Sequence, residues 1–519
     1  MPATKEELVN KWARSLGGGR LVRAGNSVQT LVDGEETFAA MFRELLTARA
    51  AWHYIYLLGW YMDDSVPLVK DVPTSTILEI FKSAAASQVQ IRVMLWEQVV
   101  GSDERKTNKT SVENINVLKT GAAILDGHTP TVLNSHHQKI LVIKGERGLV
   151  AFCGGIDING DRIRVQESPE AQSSSGQNGS PFHDVHCRIA GRAAIDLLGT
   201  FIQRWKAHPD TKAIDARARL LGYGEAPPST SAGNAFVRVT RTYNCAKQRP
   251  ERGQPTPSVA GDTNESVPSD VQSLKNICAK ERSVRETLLA SIATATRFIY
   301  IEEQYLIDLE VAAALKKALA HLQHITILIP HFRITRPWVM KGRRKSFIEA
   351  ITGRADVPDK TSKFAVFYRV SSDAGTLGPH SYVHAKTWIF DDEMMIIGSA
   401  NCNRRGLTSD SEANVCIFDK PTSIDQPSLA HQLRMRLWAE HLGLPASTVT
   451  DGVKSRGLWF ESRPGSRVRP YDPTKGPEQW AADAPAPESE ALVRDPFDPD
   501  YGDLPKCQDE DCKAGNYNH

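Results

Sequence analysis

Two triplets in this chain have the residue types for acid–base and nucleophilic chemistry. His137 and Lys139 stand in "NSHHQKILVIK", and His384 and Lys386 stand in "YVHAKTWIFD". Each is a histidine, one spacer and a lysine, followed by a mostly apolar run. Side chains two apart on a strand share a face, so each histidine projects with its lysine. Brought together, the two pairs would place two imidazoles and two ammonium groups in one pocket. Such a pocket suits a phosphodiester. A neutral imidazole attacks phosphorus, a protonated one gives its proton to the leaving oxygen, and the lysines neutralise the non-bridging oxygens. This chemistry demands neither metal nor nucleotide, so no cofactor and no metal ligand is expected.

Each pair is followed by a turn of small residues. "GSAN" offers Ser399 and Asn401, and "GGID" offers Gly154 and Gly155, as donors to a phosphate. Asp157 would repel a phosphate and is expected instead to hold its loop or bond a lysine. A catalytic imidazole also needs an acceptor on its second nitrogen. Glu412 follows His384 by 28 positions, and Asp184 follows His137 by 47 across a polar insert. Each carboxylate is expected to fix the histidine of its own half.

The elements that must position these residues recur along the chain. "YIYLLGW" (54–60), "IRVMLWE" (91–97), "HQKILVI" (137–143) and "GLVAFCGG" (148–155) read as buried strands. "FIYIEEQYL" (298–306), "ITILIP" (325–330), "HAKTWIF" (384–390) and "EMMIIGS" (393–399) repeat the series in the same order. Helical periodicity separates the first two strands of each set, in "TILEIFKSAAAS" (76–87) and "LEVAAALKKALAHL" (309–322). From Ile55 to His137 is 82 positions and from Ile299 to His384 is 85, so the register is shared. An α/β fold follows: two similar units, each a mostly parallel sheet flanked by helices, packed about a pseudo-twofold axis with one shared active site. Residues 1–246 form the first unit, with a loop inserted at 166–180. Residues 247–274 form a flexible linker, 275–462 the second unit, and 463–519 an irregular tail. "SLAHQLRMRLWAEHLGL" (428–444) reads as an amphipathic helix ending near Gly443.

Composition narrows the class. A chain of 519 residues exceeds one ordinary core. A net charge of +2 lacks the strong basicity of a dedicated nucleic-acid binder. No run reaches the length of a membrane span, and the first residues lack the apolar core of a secretory signal. A cytoplasmic monomer is therefore expected, or one exported without a classical signal. The eight scattered cysteines give no disulfide framework. Cys153, Cys187 and Cys416 read as small buried hydrophobes, whereas Cys507 and Cys512 sit in a polar tail.

These residues resemble the phospholipase D superfamily, whose signature is His-x-Lys-x4-Asp followed by a Gly-Gly or Gly-Ser turn. His384, Lys386, Asp391 and "GSAN" fit it fully. His137 and Lys139 fit, with Lys144 where the family has aspartate. "HHQK", "GGIDIN", "HDVH", "FIQRW", "YIEEQY" and "RLWAEHLG" are similar to the phospholipid-cleaving branch, and the resemblance spans roughly residues 30–445. It implies hydrolysis of a glycerophospholipid at a membrane surface to phosphatidate and an alcohol, with transfer to other alcohols as a variant. It implies a covalent phosphohistidine on His137, with His384 as acid and then base. It makes the aspartate position, Asp391, structural rather than catalytic. A nucleic-acid phosphodiesterase, a cardiolipin-synthase-type transferase and a degenerate membrane-binding scaffold are the alternatives.

Several residues have plainer readings. His136 should face away from His137 and serve packing. His183 and His186 would diverge on a strand rather than share a zinc. Trp60, Tyr61, Trp338 and Trp388 suit a core as readily as a lipid mouth. "GRRK" (342–345) reads as a solvated face, with contact to anionic head groups as the alternative.

Overall fold

The computed structural model describes residues 5–18, 21–98, 102–129, 134–162, 182–223, 233–243, 281–330, 337–354, 357–370, 382–419 and 426–472. The insert at 166–180, the linker, Cys507, Cys512, the end of the tail and the side chain of Trp338 lie outside them. The strands of the first half are β1 (Arg23–Val32), β2 (Tyr54–Gly59), β3 (Gln90–Trp96), β4 (Gly121–Asp126), β5 (Ile140–Gly145), β6 (Gly148–Gly154), β7 (Phe182–His183) and β8 (Val185–Ala190). Those of the second are β9 (Ala235–Tyr243), β10 (Glu281–Arg282), β11 (Phe298–Glu303), β12 (His324–Ile329), β13 (Phe364–Arg369), β14 (Tyr382–Val383), β15 (Lys386–Phe390), β16 (Met394–Gly398) and β17 (Glu412–Asp419), with β18 (Val468–Pro470) beyond. The helices are α1 (Lys5–Ser15), α2 (Asp33–Leu45), α3 (Ile77–Ala86), α4 (Asp103–Asn116), α5 (Arg192–Ala207), α6 (Thr211–Asp215), α7 (Ser283–Thr294), α8 (Leu309–Ala318), α9 (Pro337–Thr352), α10 (Arg404–Thr408) and α11 (Leu429–Leu442).

The duplication is visible in one continuous sheet. Its order is β18-β13-β12-β11-β15-β16-β17-β9-β1-β8-β6-β5-β2-β3-β4, with β10 paired to β9. Reading outward from the β9–β1 junction gives the same series on both sides. The parallel pairing expected from the strand–helix–strand stretches is found in β2-β3-β4 and β11-β12-β13. The strands that follow the histidine motifs, β5 and β15, run antiparallel to their neighbours. β9 takes in the second half the place β1 takes in the first. We therefore propose that the boundary between halves falls before Ala235 rather than near residue 246.

Helices cover both faces. α5 and α11, one from each half, bury Phe201, Trp205, Leu437 and Trp438 on one face in a core that crosses the junction. On the other face, α2, α3 and α4 pack in the first half and α1, α7, α8 and α9 in the second. Strands buried on both faces are mostly apolar, and every residue of β2, β3, β11 and β12 is buried, the few polar ones included. Local signals set the helix ends. Thr76, Asp308 and Ser428 cap α3, α8 and α11 by accepting first-turn N–H groups. Gly443 ends α11 at φ +62°, a left-handed conformation that glycine adopts without strain. Among the described residues no helix is long and apolar enough to cross a membrane.

Candidate active site

The two histidine motifs meet at the junction of the halves. Both sit in extended chain just before a strand, because β5 begins at Ile140 and β15 at Lys386. Short cross-half pairings hold them there. β14 runs parallel to β7, matching Val383 with His183, and the His384 N–H donates to the His183 carbonyl at 2.8 Å. In the same way His136 bridges Ser411, and the His137 N–H donates to the Ser411 carbonyl at 2.9 Å. Each histidine thus lies beside a carboxylate of the opposite half.

The expectation that each carboxylate fixes its own half's histidine is therefore corrected. His384 Nδ1 lies 2.7 Å from Asp184 Oδ2. His137 Nδ1 lies 3.1 Å from both oxygens of Glu412 and 3.0 Å from the Ser399 carbonyl. The crossing follows from the parallel pairing, which sets the residue after each bridge partner against the histidine. With Nδ1 taken by an acceptor, Nε2 of each ring is the nitrogen left for chemistry. The ring centroids are 6.5 Å apart. His137 and His384 keep 13% and 8% of their side-chain surface, while Glu412 and Asp184 keep 1% and 2%. The imidazoles reach the pocket, and the carboxylates lie behind them.

Both lysines are anchored and aimed inward. Lys139 donates to the His137 carbonyl at 2.9 Å, lies 3.1 Å from Asp157 Oδ2, and sits 5.7 Å from the Trp60 ring centroid. Asp157 Oδ1 also accepts the N–H groups of Trp60 and Tyr61 at 3.0 and 3.1 Å, so it holds both a lysine and a loop. Lys386 donates to Gln304 Oε1 at 2.8 Å and to the His384 carbonyl. Glu303 stands nearby and accepts the Cys402 N–H at 3.0 Å.

Burial and charge set the protonation states. Burial, then Lys139, Lys386 and Arg405, hold His137 well below the usual imidazole range. Burial, then Lys386, Arg162 and Lys139, do the same for His384. Burial raises Asp184 to about 6 and pushes Glu412 well above the usual carboxylate range. Burial lowers Lys386 to about 8, against the pull of Asp184 and Glu303. An anionic phosphodiester would offset the lysines, and the two imidazoles could then share a proton.

The turns serve the site differently from expectation. The Gly155 N–H donates to the Val185 carbonyl at 3.2 Å, so it is not open to a phosphate. A Cβ on Gly155 would come within 2.2 Å of Asp184 Oδ1, and one on Gly154 within 2.5 Å of His186 Nδ1. These glycines let Asp184 and His186 pack closely. Ser399 donates its hydroxyl to Glu412 and accepts the Ala413 N–H at 3.1 Å, so it steadies the carboxylate. Asn401 is buried with Oδ1 unpaired among the described residues. Asp391 sits at the far end of β15 and accepts the N–H groups of Thr296, Arg297 and Phe298. Those donors run into the start of β11.

His136 is buried against Ser411, Asp126 and the His128 carbonyl. His183 and His186 do not converge: His183 lies between Asp33 and Glu302, and His186 Nδ1 accepts the Ile156 N–H at 3.4 Å. Trp388 is in the core. Arg344 of "GRRK" is buried and donates to the Gln304 and Tyr305 carbonyls, whereas Lys345 is exposed. The sequence reading passed over Glu303 and Gln304, although both stand in the quoted "YIEEQY". It also passed over Arg162, whose guanidinium lies 3.6 Å from the Phe182 ring centroid.

The chain is similar to known proteins. The family model for phospholipase D matches residues 47–330, and one described as cardiolipin synthase, phospholipase D-like domain, matches residues 288–435. The chain belongs to the phospholipase D superfamily. Phospholipase D alpha 1 of Cynara cardunculus is 23% identical and phospholipase D alpha 4 of Arabidopsis thaliana 25%, each over 76% of this chain and 62% of the relative. The chain thus spans about three fifths of the length of these relatives. The crystal structure of phosphatidylserine synthase from Haemophilus influenzae shares the fold, with TM-score 0.53 and 11% identity over 90% of this chain and 92% of that one.

Proposed function

We propose that this protein is a phosphodiesterase of phospholipase D type, hydrolysing a glycerophospholipid to phosphatidate and a free alcohol. The observation that carries this reading is the facing pair of carboxylate-backed imidazoles, 6.5 Å apart by ring centroid and flanked by Lys139 and Lys386. In the proposed reaction His137 Nε2 attacks phosphorus and the bond to the head-group oxygen breaks. His384 gives its proton to that oxygen, leaving phosphohistidine on His137. His384 then removes a proton from water, which attacks phosphorus and frees His137. Asp184 and Glu412 keep the Nδ1 protons in place, so Nε2 is free in each ring. Lys139 and Lys386 stabilise the charge that builds on the non-bridging oxygens, on a scale of about 3–4 kcal/mol for one such donor.

Two observations favour lipid over nucleic acid: the matched relatives are phospholipases D, and the net charge is +2. Transfer to an alcohol in place of water is a second reading, favoured by the match to the cardiolipin synthase model. Turnover of labelled phosphatidylcholine, phosphatidylethanolamine and single-stranded DNA, with and without added glycerol, tests both. Release of head group and phosphatidate is expected. Cleavage of DNA alone would reject the lipid reading, and phosphatidylglycerol formed in glycerol would establish transfer.

A further inference from the structure

Three residues that the reaction leaves unused, one from each of three quoted motifs, meet in one buried cluster. His183 comes from "HDVH", Glu302 from "YIEEQY" and His441 from "RLWAEHLG". His183 Nδ1 lies 2.8 Å from Asp33 Oδ1, and Nε2 lies 3.0 Å from Glu302 Oε2. The other Glu302 oxygen lies 2.8 Å from His441 Nε2 and accepts the Tyr300 hydroxyl at 2.6 Å. A neutral imidazole has one N–H. A carboxylate oxygen lies within 3.0 Å of each nitrogen, at Nε2 as a hydrogen bond and at Nδ1 as a close ion pair, and His183 suits both only as imidazolium.

This cluster is fastened to the active site. Asp33 Oδ1 accepts the Asp184 N–H at 3.0 Å, and the Asp33 N–H donates to the Asp184 carbonyl at 2.8 Å. The His183 carbonyl accepts the His384 N–H at 2.8 Å. The cation therefore ties Asp33 of the first half to Glu302 of the second, directly behind the Asp184–His384 pair.

We propose that His183 is a permanently charged imidazolium that positions Asp184 and His384 and keeps Asp184 ionised. This deepens the phosphodiesterase reading and rests on it. His183 is faced by Asp33, Glu302, His441 and Arg369, with Glu440 beyond; Asp184 is faced by His384, Lys386, Arg162, Asp33 and His183. Burial works against the charge on His183, but Asp33 and then Glu302 outweigh it and hold the imidazole at about 10. Asp184 is pushed up by burial, and Lys386, Arg162 and His183 pull it back. Removing the His183 charge should let Asp184 take a proton at higher pH.

Nitrogen NMR on full-length protein labelled in its histidines tests the charge without a substrate. One ring should keep both nitrogens protonated at pH 8.5. It is assigned by its loss in His183→Gln or, if that variant does not fold, by ring-proton contacts with His441, whose ring centroid is 4.9 Å away. A wild-type protein in which every ring is neutral at that pH overturns the proposal, whatever its substrate proves to be. In folded His183→Gln, kcat should fall about tenfold or more with KM little changed. The acid limb of kcat/KM should move up by about half a pH unit or more. An unmoved acid limb in that folded variant also overturns it.

Discussion

At the scale of residues, the crossed carboxylates make the two histidines separable by experiment. Asp184 backs His384, the proposed donor to the leaving group, and Glu412 backs His137, the proposed nucleophile. Asp184→Asn should slow natural phospholipids by about a hundredfold or more, the ordinary reach of general acid catalysis, and should be partly relieved on a nitrophenyl phosphodiester that needs no proton. Glu412→Gln should slow both substrates alike. The opposite pattern would mean that the assigned roles or the pairing are wrong. Asp184 also sets a pH limit. With its carboxyl at about 6, activity should fall as pH drops through that value. The sign for stability is the reverse: a raised carboxyl pKa means the folded state holds the proton more tightly, so ionised Asp184 is a cost that grows from pH 3.8 to about 6 and then stays. Asp184→Asn should therefore melt no lower than the parent at pH 7. Both histidine–lysine pairs were legible because residue type and spacing carry that chemistry. Their carboxylate partners were legible as residues but not as pairs, since nearness along the chain does not say which symmetry-related place each fills.

At the scale of elements, the turns that close β5 and β15 show how one aspartate can be lost. Asp391 gathers three N–H groups, of which that of Phe298 is buried, and Lys11 Nζ at 2.9 Å. In the first half Lys144 stands there, half-buried. There the Glu146 N–H donates to the Thr47 carbonyl at 3.0 Å, and Gly145 packs so closely that a Cβ would come within 2.0 Å of Thr47 Oγ1. Asp391→Ala should cost about 1–3 kcal/mol by leaving the buried Phe298 N–H unpaired. Lys144→Ala should lower stability little and keep turnover within about tenfold. Denaturant titration beside kinetics checks both. Loss of turnover in a normally melting Lys144→Ala protein would make Lys144 a substrate ligand. Gly155→Ala should cost about 1–3 kcal/mol by crowding Asp184. The strands and capped helices were legible because apolar runs and capping residues act locally. The role of the glycines was not, because it depends on side chains that arrive from elsewhere in the chain.

At the scale of the molecule, each half holds a histidine and a lysine but lacks the carboxylate that its histidine needs. A chain divided between the halves should give two inactive pieces, with turnover returning only on co-expression; activity in either piece alone would contradict the crossed site. The repeat was legible from four strand runs in one order, and so was the expectation of a shared site. The joining of the halves into one sheet through β9 and β1 was not, because β9 ("AFVRVTRTY") precedes the linker that marks the composition break. The cluster of His183, Glu302 and His441 was hidden for a similar reason: its members lie 119 and 139 positions apart. The central claim, one covalent phosphodiesterase site built from two halves, is tested most directly by quenching into alkaline denaturant during turnover of a phospholipid labelled at phosphorus. The account predicts an acid-labile phosphoryl group on His137, retained in His384→Ala with a good leaving group and absent in His137→Ala. Equal labelling of both variants, or a label in His137→Ala alone, would contradict it.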